Sequence, residues 1–160
     1  MKIEDAIPVK LNKILVGVDG SEDAEKAGAF AIDLARRYSA SLILFFVARY
    51  PPNDMGPTIT DVVSLGEPQD DPLREKKKQT ALASMHEIGE LARKMNISVD
   101  EQIIDTSTTI TRIISDYSYR NSVDVIVVGS SGLTEFEATI EESVSQGLVE
   151  HAPCTVVVVK

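Results

Sequence analysis

Gly129-Ser130-Ser131-Gly132 is the stretch of this 160-residue chain whose residue types and spacing point most directly to a ligand. It closes an apolar β-branched run, Val125 to Val128, which reads as a strand buried on both faces. Beyond it, Ile140, Val144, Gly147 and Leu148 recur on one side of a helix. Strand, glycine turn and helix in that order aim backbone N–H groups and the positive end of a helix dipole at an anion, most often a phosphate. The same two glycines would also serve a turn that needs positive φ or a close backbone approach with no ligand, and the spacing leaves both readings open. Asp19 is the second candidate, a carboxylate ending the short apolar run Lys13 to Asp19, with a plain turn or cap role as its alternative.

The residues that follow the glycine turn are acidic. Glu135, Glu137, Glu141 and Glu142 come with no Lys or Arg among them, and Glu22 and Asp23 stand at the start of the first helix, where acids also serve a helix dipole. Thr139 and Glu142 have capping-box spacing, in which the Thr hydroxyl caps the helix and the Glu side chain returns to the N-cap amide. The protein would then supply its own carboxylate to the anion site; with Glu142 turned to solvent, the amides would stay open to a ligand. A carboxylate about 4 Å from a phosphate charge costs roughly 1 kcal/mol in water and about 4 kcal/mol at an effective dielectric of about 20. Two such neighbours would remove most of a micromolar affinity, worth about 8 kcal/mol. A divalent cation held between the acids and the phosphate would reverse the sign.

Other reactive residues form no constellation. His86 and His151 belong to different helical stretches and read as ordinary helix residues. Cys154, the single cysteine, follows Pro153 with no base in view and reads as a buried structural thiol. Asp19, Asp105 and Lys160 invite comparison with a phospho-accepting receiver, but the acidic pair expected at the first strand is missing and no helix follows the last strand. No P-loop, catalytic triad or metal-ligand cluster is visible, so catalysis has no positive support in the sequence.

The elements that must position these residues alternate. Lys13 to Asp19 is a strand; Gly20-Ser21 supplies a turn and a helix N-cap, and Ala24, Ala27, Ala31, Leu34, Ala35 and Tyr38 recur at helical spacing. Ser41 to Val47 is a second buried strand. Ala81, Met85, Ile88, Ala92 and Met95 mark a second helix, Ile97 to Ile104 a weaker strand, Ile110, Ile113, Ile114 and Tyr117 a third helix, and Thr155 to Val159 the last strand. Five strands alternating with four helices predict a parallel sheet covered on both faces, with ligands at the carboxyl ends of the strands. The segment 49–71 is too long and too rich in Pro, Gly and Asp for an ordinary connection; it leaves the second strand at its carboxyl end, and Val62, Val63 and Leu65 predict some packing within it.

Length and 43% hydrophobic content predict one domain over 1–160. No apolar stretch approaches the roughly 20 residues of a membrane span and no signal peptide is visible, so a soluble cytoplasmic protein is expected. A net charge of −9 argues against nucleic-acid binding, and the basic cluster Arg74 to Lys78 reads as the solvated face of a helix.

With these residues placed, the chain resembles the universal stress protein family over nearly its whole length. The resemblance rests on Val16-Gly17-Val18-Asp19-Gly20-Ser21, the Val127 to Gly132 turn, Ser143-Val144-Ser145 and the ending His151 to Lys160, in the family's order and spacing. It implies a three-layer α/β/α fold of the adenine nucleotide alpha hydrolase-like type, with a five-stranded parallel sheet in the order 3-2-1-4-5, and a homodimer. In nucleotide-binding members it implies an ATP pocket. Asp19 matches the carboxylate that contacts adenosine there, and Val47 the position beside the adenine. The phosphate signature of such members is Gly, two residues, Gly, nine residues, then Gly-Ser or Gly-Thr. Here Gly129 and Gly132 keep its first half, while Glu142-Ser143, followed by Val144, keeps the Ser and loses the Gly.

The resulting expectation is a dimeric binding or interaction module with a degenerate or weak nucleotide pocket and unidentified protein partners. The alternative is a true ATP- or AMP-binding member with slow hydrolysis or Mg²⁺-dependent binding. In the implied strand order Thr155 to Val159 is an edge whose valines leave it unguarded, so pairing with a second copy through this strand is expected.

Overall fold

Alternation of burial along the central strands divides the core into two layers. In the computed structural model, which describes residues 1–7, 9–49, 72–130 and 143–160, five parallel strands lie in the order β3-β2-β1-β4-β5. They are β1 (Lys13–Gly17), β2 (Ser41–Arg49), β3 (Val99–Thr106), β4 (Val125–Gly129) and β5 (Thr155–Val159). Ile14, Val16, Leu42, Leu44, Val125 and Val127 point into one layer with α1 (Glu22–Tyr38) and α2 (Pro72–Lys94). Leu15, Ile43, Phe45, Ile126 and Val128 point into the other, with α3 (Ile110–Arg120) and α4 (Val144–His151). A period of two in strands with apolar residues at every position is what a sheet buried on both faces requires.

The inward stripe of α1 is Ala24, Ala27, Gly28, Ala31 and Ala35 around a single larger Ile32, which brings the helix axis close to the sheet. Its start is fixed by Ser21, whose hydroxyl accepts from the Ala24 N–H at 3.1 Å, as expected of an N-cap. Glu22, Asp23 and Glu25 in the first turn and Arg36 and Arg37 in the last complement the helix dipole. Gly20 precedes the cap with φ +81°, and a Cβ there would lie 2.7 Å from Thr80 Cγ2 and 3.0 Å from the Thr80 carbonyl carbon, so α2 closes over it.

Several boundaries differ from the sequence reading. β1 stops at Gly17: the Val18 N–H still makes a ladder-like bond to the Phe45 carbonyl at 2.9 Å, but Asp19 then folds into a turn and accepts from the Ser21 N–H at 2.9 Å. β2 runs on to Arg49, since β3 pairs with it as far as Arg49 against Thr106. β3 begins at Val99: Ile97 instead donates its N–H to Ala92 at the end of α2 and buries its side chain in the link. α4 begins at Val144 with Ser143 as N-cap, the hydroxyl accepting from the Gln146 N–H at 3.2 Å. Thr139, Glu142 and the segment 50–71 lie outside the described residues.

Replacing Gly20 with Ala tests the turn that hands β1 to α1. The positive φ alone costs an L-residue about 1–2 kcal/mol, before any displacement of Thr80. A lower urea midpoint with an unchanged denaturant slope is expected; an unchanged midpoint would show that the turn is not constrained.

Candidate functional site

Strand order reverses between β1, whose crossover leads to β2, and β4, which enters on the other side of β1. Such reversals leave a crevice at the carboxyl ends of the strands. Here the crevice is walled by Gly17, Val18 and Asp19 after β1, Phe45 to Val47 on β2 and Val128 to Ser130 at the end of β4. Ile110 and Ile114 of α3 and Ser143 to Ser145 at the start of α4 close the other side. The space is about 560 Å³ including the part open to solvent. Its floor is stiffened by Phe45, whose ring meets Tyr117 at 4.7 Å between centroids with planes tilted by 57°. Burial pushes the Tyr117 phenol above its ordinary pKa, so it stays neutral there.

Asp19, Val47, Gly129, Ser143 and Val144, singled out from the sequence, all converge on this crevice. Gly132 and Glu142 lie outside the described residues. Asp19 is the only charged residue among the described lining residues, and it is a turn residue as well: one carboxylate oxygen holds the Ser21 N–H and the other remains available. Ser130, Phe45, Ile110, Ile114 and Ser145 were not singled out. The isoleucines carry only a helical core pattern, and Ser130 enters the sequence reading only as part of the glycine turn.

Gly129 has a packing reason of its own. A Cβ there would lie 2.6 Å from the Asp23 carbonyl carbon and 2.8 Å from its oxygen, so the first turn of α1 rests directly on this glycine. The next residue is tied in the same place: Ser130 donates its N–H to the Val159 carbonyl at 2.9 Å and its hydroxyl to Asp23 Oδ2 at 3.0 Å. Both Ser130 donors are thus spent within the protein. At the start of α4, Ser143 Oγ accepts from Gln146 and lies 3.2 Å from Ser145 Oγ.

The remaining candidates fall elsewhere. His86 and His151 are exposed on α2 and α4, and among the described residues no three His, Cys, Asp or Glu side chains gather in a way that would hold a metal. Cys154, expected to be buried, is half-buried at the start of the edge strand β5, at the opposite end of the sheet from the crevice. Burial there, reinforced by Asp124, raises its thiol pKa, the opposite of what a nucleophilic cysteine needs. No helix among the described residues is long and apolar enough to cross a membrane.

Fold and crevice together define an open parallel α/β sheet with a cleft at its topological switch point. Residues 10–160 match the model of the universal stress protein family. A universal stress protein of Staphylococcus aureus (strain USA300) is 30% identical over 157 residues, covering 95% of this chain and 86% of the relative. The chain belongs to the universal stress protein family. Among solved structures, UspA from Lactobacillus plantarum superposes with a TM-score of 0.71 at 23% identity, over 95% of this chain and 99% of the other. A universal stress protein in complex with cAMP gives 0.65 at 20% identity, over 94% and 97%.

The Cys154 environment has a pH consequence. Because the folded state raises the thiol pKa, its contribution to stability is present below the unfolded value, near 9.0, and is lost as pH rises through the folded value. Cys154→Ala should flatten the loss of stability as pH rises above about 9.0, and iodoacetamide at about pH 8.5 should alkylate the folded chain more slowly than the unfolded one. Faster alkylation of the folded chain would refute the assignment.

Proposed function

We propose that this chain is a binding module that takes an adenine nucleoside or nucleotide in the crevice at the strand carboxyl ends, with a weakened phosphate end. The observation that carries the reading is the convergence of Asp19, Val47, Gly129, Ser143 and Val144 on one largely apolar cleft at the topological switch point. The cAMP bound by a protein of the same fold supports the ligand class. Weakness toward phosphate is supported by two features. No cation stands among the described lining residues and the donors of Ser130 are already used. In the sequence, Glu142 stands where binding members carry the signature glycine, in a segment, 131–142, with four acids and no Lys or Arg.

Equilibrium dialysis with ATP, with and without Mg²⁺, tests this. Weak or absent ATP binding is expected, with a gain of about tenfold or more on Glu142→Gly, the factor that about 1.4 kcal/mol provides. Tight metal-free ATP binding by the unmodified chain, or no gain in the variant, would count against a weakened phosphate end. Tight binding only with Mg²⁺ would make the acids metal partners and favour the alternative ATP-binding reading.

The module is further proposed to work as a homodimer joined through Thr155 to Val159. The two sheet edges are unlike. β3 carries Asp100, Glu101 and Asp105, charges that discourage strand pairing, whereas β5 is Thr155 followed by four partly buried valines. On α1, Phe30, Leu34 and Tyr38 recur every four residues, with Phe30 45% and Tyr38 43% exposed, and Leu34 packs in the same layer as Val157 and Val159. An apolar strand edge flanked by an apolar helix stripe suits an isologous contact with a second copy. Val157→Pro removes a ladder donor and should shift the protein toward monomer or aggregate in sedimentation velocity. A stable monomer of the unmodified chain at micromolar concentration would end the proposal.

A further inference from the structure

The crevice has a charge selector that no glycine signature describes. We propose that Asp23, acting through Ser130, makes this site prefer ligands of low negative charge, so that without divalent cations affinity falls in the order adenosine, cAMP, AMP, ATP. The inference rests on the reading of the crevice as an adenine site and specifies which member of that ligand class it takes.

Three observations carry it. Asp23 stands directly behind the crevice wall, its backbone against Gly129 and its carboxylate holding the Ser130 hydroxyl at 3.0 Å. Its side chain is only 16% exposed, so its field is screened less than that of a surface acid. The hydroxyl hydrogen points to Asp23 and the N–H of the same residue to Val159, so what Ser130 turns toward a ligand is an oxygen with lone pairs. Such an oxygen suits a hydroxyl or amino donor and repels a phosphate oxygen.

The nearby cation does not cancel the effect. Lys26 Nζ lies 3.1 Å from Glu22 and 3.5 Å from Asp23, so one positive charge is shared between two carboxylates and the trio remains net negative. Asp19, on the β1 side of the same crevice, places a carboxylate in the lining itself. Neutral adenosine meets none of this repulsion. A cyclic monophosphate, with one negative charge, meets less than AMP or ATP.

Titration calorimetry in EDTA with adenosine, cAMP, AMP and ATP reads the order directly. Asp23→Asn keeps an oxygen for the Ser130 hydroxyl and removes the charge. It should tighten AMP by about tenfold, which is about 1.4 kcal/mol, while adenosine changes by less than about twofold. Lys26→Gln, on the exposed side of the helix, should move AMP the opposite way, and added salt should narrow the gap between AMP and adenosine. AMP binding more tightly than adenosine to the unmodified chain, or an AMP-to-adenosine ratio unaltered in both variants, would overturn the selector. So would ATP that binds best with Mg²⁺ and loses that binding in Asp23→Asn, since Asp23 would then be a metal partner. If none of the four ligands binds the unmodified chain or either variant, the adenine-site reading itself falls, and the selector with it.

Discussion

The first turn of α1 lies against Gly129 with no room for a single carbon between them, and much of the site follows from that contact. It fixes where α1 begins relative to the end of β4, and so where the Ser21 cap and the Asp19 turn stand beside the strand ends. It brings the Asp23 carboxylate within reach of Ser130, and Ser130 in turn anchors to the last residue of β5 through its N–H. One glycine thereby ties three strands and a helix around the crevice mouth. The alanine stripe on α1 serves the same end: side chains that small let the helix come down onto β1 and β4, which larger residues would hold off.

The two helix layers divide the work. The layer under α1 and α2 is closed by small residues and by interlocked contacts such as Gly28 against Ile88. In the α3 and α4 layer, Ile110, Ile114, Val128 and Val144 contribute to the core and also line the crevice. An apolar group placed there would extend an existing core, so filling the cleft would need little reorganisation of the protein. Polar specificity must then come from the rim, where Asp19, Ser130 and Ser143 present oxygens.

Much of this was legible in the chain itself. β1, β2 and β4 announced themselves as apolar runs, and α1 by its alanine periodicity, because buried elements have little freedom in composition. β3 was displaced by two residues because an edge strand carrying Asp100, Glu101 and Asp105 has no continuous apolar run to mark its ends. At the start of α4 the sequence offers Ser143 to Gln146 at capping-box spacing and the fold uses Ser143 as the cap, while Thr139 and Glu142 lie outside the described residues. Ser130 and Asp23 are 107 positions apart. Their pairing depends on β4 and α1 being neighbours, which no local pattern reports.

That pairing changes how a phosphate signature should be weighed. Gly129 is demanded by the backbone of Asp23 whether or not a ligand is ever present, so its presence says little about phosphate. Donors are more telling than glycines, because an anion is bound by N–H and O–H groups that have no other partner. At Ser130 both have partners, and one of those partners is a carboxylate. A site can therefore keep the first glycine of a phosphate turn for reasons of packing while the hydrogen bonds around it have been turned inward. What the described residues present there is a largely apolar cleft with the oxygens of Asp19, Ser130 and Ser143 along its rim.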